Sequence, residues 1–439
     1  MNAFNENNIF IFEDYGFDVD TKLAWFAYKH TDPALSFRET ISIETENPVE
    51  LMKNPIFQKA LILAFYVTAT SYYKAFPTSN FEFRKAALDE WQSGFLKTVF
   101  TEGMSQFWYE NQLDPGEKIS FESCELGNTS AIKYEGIGNL VLQSGGKDSL
   151  LLATLLKNCQ QEFQPWYEST TDTYPEVLDS FNKPLVHAKR TLDITDLKIA
   201  TELGGLNGHV PVTYIVSSHA LLQMVASNLK RVLLAIGNEG VEPSNYIGAL
   251  PVQHQWSKTF SAEKLMQNYI ANYISADIEY GSPLRPFHEV KIAQLFLKKA
   301  FEKYGTRFSS CNFANYKQGT DNKILYWCGE CPKCTNAFLL FAPFLEPNRL
   351  EQMLGGNLFK KPELLDMYKG LLGIDGVAKP LECVGETEEL RWAYHQSRSQ
   401  FSEADYSLSF NVPEPSDFNP NILMPHNERL FSLISNCIE

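Results

Sequence analysis

The sequence predicts an α/β protein: a doubly wound parallel sheet, preceded by an N-terminal α+β domain and followed by a Cys-rich helical lobe. Three observations predict it. From about residue 135, apolar strand-like stretches alternate with helical patterns, the βαβαβ rhythm of a parallel sheet that binds ligands outside the carboxyl ends of its strands. The first such strand and helix are joined by a glycine turn, Ser144-Gly145-Gly146-Lys147-Asp148-Ser149. Farther on, Cys311, Cys328, Cys331 and Cys334 form a C-x16-C-x2-C-x2-C cluster.

A chain of 439 residues with 44% hydrophobic and 21% charged content has room for two or three domains with a substantial core. A net charge of −15 argues against a nucleic-acid partner, because gripping a phosphate backbone calls for a basic surface. The longest apolar runs, "LILAFYVTAT" and "NAFLLFAPFL", fall short of the ~20 residues of a membrane span. The start, "MNAFNENNIFIFED", lacks the basic and apolar blocks of a secretory signal, so a cytoplasmic location is expected.

In chain order, "IFIFEDYGF", "LAWFAYKH" and "LSFRETISIE" read as strands of an antiparallel meander, rich in aromatic and β-branched residues. Residues 48–75 and 84–112 carry helical spacing, and 1–130 is taken as the N-terminal α+β domain. The α/β domain, 135–260, contains the strand "GNLVLQ", the helix "SLLLATLLKN", the strand "EFQPWYE", a loop and helix in "VPVTYIVSSHALLQMVASNL" and the strand "RVLLAIGNEG". A mainly helical lobe, 261–345, holds the cysteine cluster. The C-terminal extension, 346–439, shows little periodicity after 380 and is expected to wrap the body.

The glycine turn is an anion site by construction. Gly145 and Gly146 let backbone N–H groups close on an anion at the positive end of the following helix. Ser144 and Ser149 offer hydroxyls and Lys147 a charge, while Asp148 suits a helix cap or a partner for Mg²⁺. The Walker loop does not fit, since Val141 stands where it needs glycine and Asp148 where it needs a hydroxyl. The dinucleotide fingerprint is missing as well.

Four clustered thiolates match tetrahedral zinc, and full sulfur ligation would make the site structural; an iron–sulfur cluster is the rival. Lys317, Lys323 and Lys333 could offset the charge of such a site. Cys124, Cys159, Cys383 and Cys437 are scattered and read as unpaired core or surface residues.

The turn matches the S-G-G-x-D-S signature of the PP-loop ATP pyrophosphatases. That resemblance implies a PP-loop/HUP-like sheet and cleavage of ATP between the α and β phosphates. A PP-loop followed by a C…CxxCxxC cluster resembles 7-cyano-7-deazaguanine synthase, over the middle of the chain only. A wider set of segments is similar to the MurL-type UDP-N-acetyl-α-D-muramoyl-L-alanyl-L-glutamate epimerases: "TSYYKAF", "NGHVPVTYIVSSHAL", "VQHQWSKTFSAEK", "PLRPFHEVKIAQLF", "SCNFA", "WCGECPKC" and "KPLECVGETEELR". This resemblance implies a peptidoglycan-precursor enzyme that inverts the terminal L-Glu of UDP-MurNAc-L-Ala-L-Glu. ATP would be spent to AMP and pyrophosphate through an acyl-adenylate, with Mg²⁺ as cofactor and structural Zn²⁺ at the cysteines.

The resemblance directs attention to particular residues. ATP would lie on Ser144, Gly145, Gly146, Lys147, Asp148 and Ser149, with Asn238 and Glu239 at the end of a neighbouring strand meeting adenine, Mg²⁺ or substrate. His254 and Lys258, at i and i+4 on one helical face, are the candidate proton carriers, with Asp148 as a further catalytic candidate. Lys258 would serve through a pKa lowered by burial; the competing reading has His254 packing and Lys258 contacting phosphate. His209 and His219 flank a sheet-end loop that could touch ligand. Arg285 suits a carboxylate or phosphate, or an ion pair. The tyrosines of "SYYK" are expected in the core.

Overall fold

The structure, a computed structural model, describes residues 4–125, 131–315, 323–402 and 411–438. The first three strands are β1 (Phe10–Asp18), β2 (Leu23–Thr31) and β3 (Ala34–Ser42), an antiparallel meander as expected. On β2, Ala24, Phe26, Tyr28 and His30 alternate inward, so one face of the meander is buried. The short strand β4 (Phe81–Phe83) runs parallel to β1 at the sheet edge.

The remaining sheet strands are β5 (Asn139–Leu142), β6 (Phe163–Ser169), β7 (Val186–Thr191), β8 (Arg231–Leu233) and β11 (Glu279–Gly281). A separate ribbon pairs β9 (Asn245–Ile247) with β10 (Leu250–Val252). All strands but the ribbon form one nine-stranded sheet in the order β11-β8-β5-β6-β7-β3-β2-β1-β4. The N-terminal meander is therefore not set apart, because Thr40 and Ile41 of β3 pair with Thr191 and Arg190 of β7.

The segment β11-β8-β5-β6-β7 is parallel throughout. Its chain order reverses between β5 and β8, which creates a crevice where the loops leaving both strands diverge. Helices cover both faces. Leu140, Trp166 and Val232 pack into one core with the helices Pro55–Thr68, Val212–Ala226 and Phe260–Tyr269. The adjacent residues Val141, Tyr167 and Leu233 pack into the other, with the helices Lys147–Asn158, Glu289–Lys299 and Pro332–Phe341.

The C-terminal extension differs from expectation. Thr387–Ser397 is a helix with a Glu386/Glu389 capping box, and it contributes Leu390 and Ala393 to the second core. Cys159 and Cys437, expected unpaired, form a disulfide with Cα atoms 5.9 Å apart. It ties Cys437, in the last 3₁₀ turn, to the C-cap residue of the helix Lys147–Asn158.

Candidate functional site

The glycine turn sits at the order reversal, directly after β5. Gly145 has φ +78°, and a Cβ there would lie 2.5 Å from Leu325 Cδ1, so this position takes glycine for conformation and space together. Ser144 Oγ accepts from the Gly146 amide at 3.4 Å, and Ser149 Oγ accepts from the Ser144 amide at 3.3 Å. These bonds hold the turn open at the N-terminus of the helix Lys147–Asn158. Asp148 does not cap that helix, which has no side-chain cap; it pairs with Lys147 at 2.9 Å instead.

Ser144, Gly146, Lys147, Asp148 and Ser149 of the turn line a 530 Å³ cavity, whereas Gly145 is not part of its lining. Glu239, from the loop after β8, and His209, His254 and Lys258 line it too. His254 and Lys258 arrive by a turn and the single 3₁₀ turn Trp256–Lys258, not by the α-helical face expected for i, i+4 residues. Ser309, Ser310, Asn312 and Trp327, next to the cysteine cluster, line it as well, the Ser309 amide donating to the Gly145 carbonyl at 3.3 Å, and Cys383 comes from the C-terminal extension.

Charge in the cavity is balanced by pairing. Lys147 bonds Asp148 and reaches Glu289 at 3.4 Å; Lys258 bonds Glu239 at 3.1 Å. Burial works against the charge on Lys258, yet Cys383, Glu239 and Glu289 outweigh it and raise the pKa. The lowered pKa expected for Lys258 is thus reversed, because carboxylates were buried with it. Lys147 is raised likewise by Asp148 and Glu289 against the effect of burial. Burial also lifts the Glu239 carboxyl, but Lys258 and Lys147 bring it net below its ordinary range. Behind them, burial and the neighbouring Glu289 push Glu389 up to about 8.

His254 and His209 face each other with ring centroids 4.4 Å apart. Burial lowers His254 to about 4; burial and then His254 lower His209 to about 3. His254 Nδ1 lies 2.6 Å from Gln106 Oε1, and Gln106 Nε2 donates to Glu110 Oε1 at 2.7 Å. That chain orients the Gln106 amide, which assigns the proton to His254 Nδ1 and leaves Nε2 with a lone pair.

These histidines set an acid dependence of stability. The unfolded chain protonates them near pH 6.5, while the folded protein keeps them neutral to about pH 4 or below, as it does His30. The unfolded state then binds more protons between those values, so stability falls as pH drops through roughly 6.5 to 4. Thermal melts at pH 7.5 and 5.0 should show a lower Tm at pH 5.0, with a smaller drop in His254→Asn. Equal drops in both proteins would refute this assignment.

Several expected residues lie elsewhere. His219 is fully buried, with Nδ1 2.9 Å from Glu168, and belongs to the core. Arg285 meets no open space: it pairs with Glu263 at 2.7 Å and donates to the Gly237 and Lys258 carbonyls at 2.6 and 2.7 Å. It fixes the backbone that carries Glu239 and Lys258. Asn238 is not part of the cavity lining, and its amide donates to the Phe287 carbonyl. Tyr72 and Tyr73 are core residues, as expected. Sequence reasoning missed Glu289, Glu389, Gln106, Gln143 and Cys383, none of which carries a local signal.

The four cysteines converge. Their sulfurs lie within 4.8 Å of one another, with separations of 3.5 Å for Cys311–Cys328, Cys311–Cys331 and Cys331–Cys334, and 3.7 Å for Cys328–Cys334. A tetrahedron with metal–sulfur bonds of about 2.3 Å has edges of about 3.8 Å, so the set fits one four-coordinate ion. Amide N–H groups of Ala314 and Gly329 point at Cys311 and Cys334, each at 3.3 Å, and would neutralise thiolate charge. Lys333 lines the nearby cavity and donates to Asn312, the Lys323 carbonyl accepts from Glu176, and Lys317 lies outside the described residues. Among the described residues this is the sole group of three or more His, Cys, Asp or Glu side chains placed to share an ion.

Two family models match most of the chain. Residues 1–283 match the MurL N-terminal domain and residues 307–410 the MurL C-terminal domain. A protein of Salinispora tropica is 30% identical over 87% of this chain and 82% of its own length. One from Xanthomonas oryzae pv. oryzae is 29% identical over 96% of this chain and 94% of its own. Both are named UDP-N-acetyl-α-D-muramoyl-L-alanyl-L-glutamate epimerase, as is a Micromonospora protein at 30% identity. The chain belongs to the MurL family.

Proposed function

We propose that this protein inverts the terminal L-Glu of UDP-MurNAc-L-Ala-L-Glu in cytoplasmic peptidoglycan-precursor synthesis, activating its α-carboxylate with ATP and releasing AMP and pyrophosphate. One observation carries the reading: the Ser144–Ser149 turn, two lysines and a neutral histidine share a single cavity at the sheet's order reversal. A phosphate grip alone implies group transfer, and a neutral imidazole alone implies proton transfer. This reaction needs both.

The chemistry explains the combination. Removing a Cα proton beside a carboxylate places a second negative charge next to the first. Adenylation displaces pyrophosphate and turns the carboxylate into an acyl group that can delocalise the charge, and water then cleaves the inverted acyl-adenylate to AMP and the free carboxylate; each ~1.4 kcal/mol removed from the barrier gives a tenfold gain in rate. Lys147 and Lys258, both held as cations, suit the phosphates and the developing negative charge. Gln143, with both amide atoms buried and unpartnered, and the unpartnered Trp327 indole N–H offer bonds to a bound ligand from the cavity wall. Mg²⁺ would enter with the nucleotide, using Asp148 or Glu239 as one ligand beside phosphate oxygens. Zn²⁺ at Cys311, Cys328, Cys331 and Cys334 would be structural, fixing the wall that carries Ser309, Ser310 and Trp327. No helix among the described residues is long and apolar enough to cross a membrane.

Incubation with Mg-ATP and UDP-MurNAc-L-Ala-L-Glu, followed by hydrolysis and chiral analysis of glutamate, tests the proposal. D-Glu should appear together with AMP. D-Glu formed without ATP, or ADP in place of AMP, would overturn it.

A further inference from the structure

Inversion of a carbon centre requires a proton to leave one face and another to arrive at the opposite face, the work of two carriers flanking the centre or of one that moves; His254 is one candidate. Most titratable groups there are committed. Asp148 and Glu239 are paired with lysines, Glu289 contacts Lys147, and Lys147 and Lys258 hold their charge. His209 stands ring to ring with His254, on the same side of the cavity. Cys383 is the group left over. It lines the cavity and forms no disulfide.

The segment that carries Cys383 is clamped to the site. Gln255, between His254 and Lys258, donates through Nε2 to the Val384 carbonyl at 3.0 Å. The Gly385 amide donates to Asn336 Oδ1 at 2.9 Å. Glu386 accepts from the amides of Val241 and Glu242 at 3.0 and 3.1 Å, and Lys379 joins Glu242 at 2.7 Å to Glu386 at 3.6 Å. The backbone beside Cys383 is thereby tied to the loop that bears Glu239 and to the turn that bears His254. An independent sign of a ligand in the same cavity is Gln143, 7% exposed, whose amide nitrogen and oxygen both lack a partner.

We propose that Cys383 and His254 are the two proton carriers of the epimerisation, on opposite faces of the glutamyl Cα. The assignment rests on the function proposed above. His254 Nε2 takes the Cα proton of the activated L-glutamyl residue, and the C–H electron pair moves into the acyl carbonyl to give an enolate. The enolate collapses as Cα takes the Cys383 thiol proton on its other face, giving the D configuration and a thiolate. Lys258 stabilises that thiolate. The His254 imidazolium then returns its proton to Cys383 through solvent, so no net proton is gained or lost. Lys258 is in this account a counter-ion for sulfur and phosphate rather than a base.

Isotope exchange in D₂O separates the two carriers. With Mg-ATP and the L-Glu substrate, Cys383→Ser should still release pyrophosphate, within a few-fold of wild type. D-Glu formation should fall about 10²–10⁴-fold. The variant should also place deuterium at Cα with retention of the L configuration, because His254 can still remove and return a proton on its own face. His254→Asn should show the mirror result, exchanging the D-Glu epimer but not the L. Continued pyrophosphate release certifies that the variant is folded. D-Glu formation by Cys383→Ser at a tenth of the wild-type rate or more would overturn the assignment, as would loss of pyrophosphate release together with epimerisation. If the wild-type protein releases no pyrophosphate with this substrate, the function proposed above fails instead, whatever Cys383 does.

Discussion

Replacing Cys334 by serine is expected to abolish stoichiometric zinc binding and lower the Tm by roughly 5–10 °C. AMP formation should be lost as well. Cys311 and Cys334 are fully buried, and the sulfur cage joins three stretches of chain: the segment before Ala314, the turn at Cys328–Cys331 and the helix Pro332–Phe341. Without the ion, three thiolates would be left close together and repel. Ser309, Ser310 and Trp327 flank these cysteines in sequence and line the cavity, so a loosened cage opens the cavity. Metal analysis, a thermal melt and an AMP assay on one preparation check all three effects. Cys124→Ser serves as the control, since Cys124 is exposed and apart from the cluster. Full activity and an unchanged Tm in metal-free Cys334→Ser would remove zinc from the account.

Arg285→Leu should cost about 3–5 kcal/mol of folding free energy, the usual penalty for breaking a buried ion pair from one side. Arg285 and Glu263 are each 1% exposed, and burial already raises the Glu263 carboxyl despite the guanidinium beside it. Removing the cation strands a carboxyl group and the carbonyls of Gly237 and Lys258. The double variant Arg285→Leu/Glu263→Leu should regain much of the stability, because the stranded charge is gone. It should not regain activity, because nothing then fixes the backbone that carries Glu239 and Lys258. Urea denaturation of both variants, with pyrophosphate release measured on each, separates these effects. Equal stability of the two variants would contradict the ion-pair account.

The parts of the site visible in the sequence are the parts made locally. The glycine turn needs only its own residues, its strand and its helix, so "VLQSGGKDSLLL" can be read without tertiary information. The cysteine cluster is visible for the same reason, as three of its cysteines follow at i, i+3 and i+6 through a turn into the start of the helix Pro332–Phe341. The helical face expected for His254 and Lys258 does not form, since a turn at His254 and a 3₁₀ turn at Trp256–Lys258 present them after β10. Residue type alone could not separate Arg285 and His219 from ligand-binding groups, because buried pairs and sites use the same side chains. Which use applies depends on Glu263 and Glu168, 22 and 51 residues away.

The residues missed altogether come from distant segments. Glu289 reaches Lys147 across 142 residues and Gln106 reaches His254 across 148. Cys159 and Cys437 are separated by 278 residues. The helix Thr387–Ser397 escaped notice because its capping box uses two glutamates where Ser or Thr is the usual first member. Cys383 enters the site only because that helix docks where it does.

The most direct test of the central claim, that phosphate cleavage and Cα proton transfer occur in one cavity, is a single reaction in D₂O. Wild-type protein is given Mg-ATP and UDP-MurNAc-L-Ala-L-Glu, with pyrophosphate and Cα deuterium followed together by enzymatic assay and mass spectrometry. The account predicts that pyrophosphate release depends on the dipeptide substrate, and that D-Glu carrying one solvent deuterium accumulates with it. D-Glu that retains the original Cα hydrogen, or deuterium exchange in the absence of ATP, would contradict it.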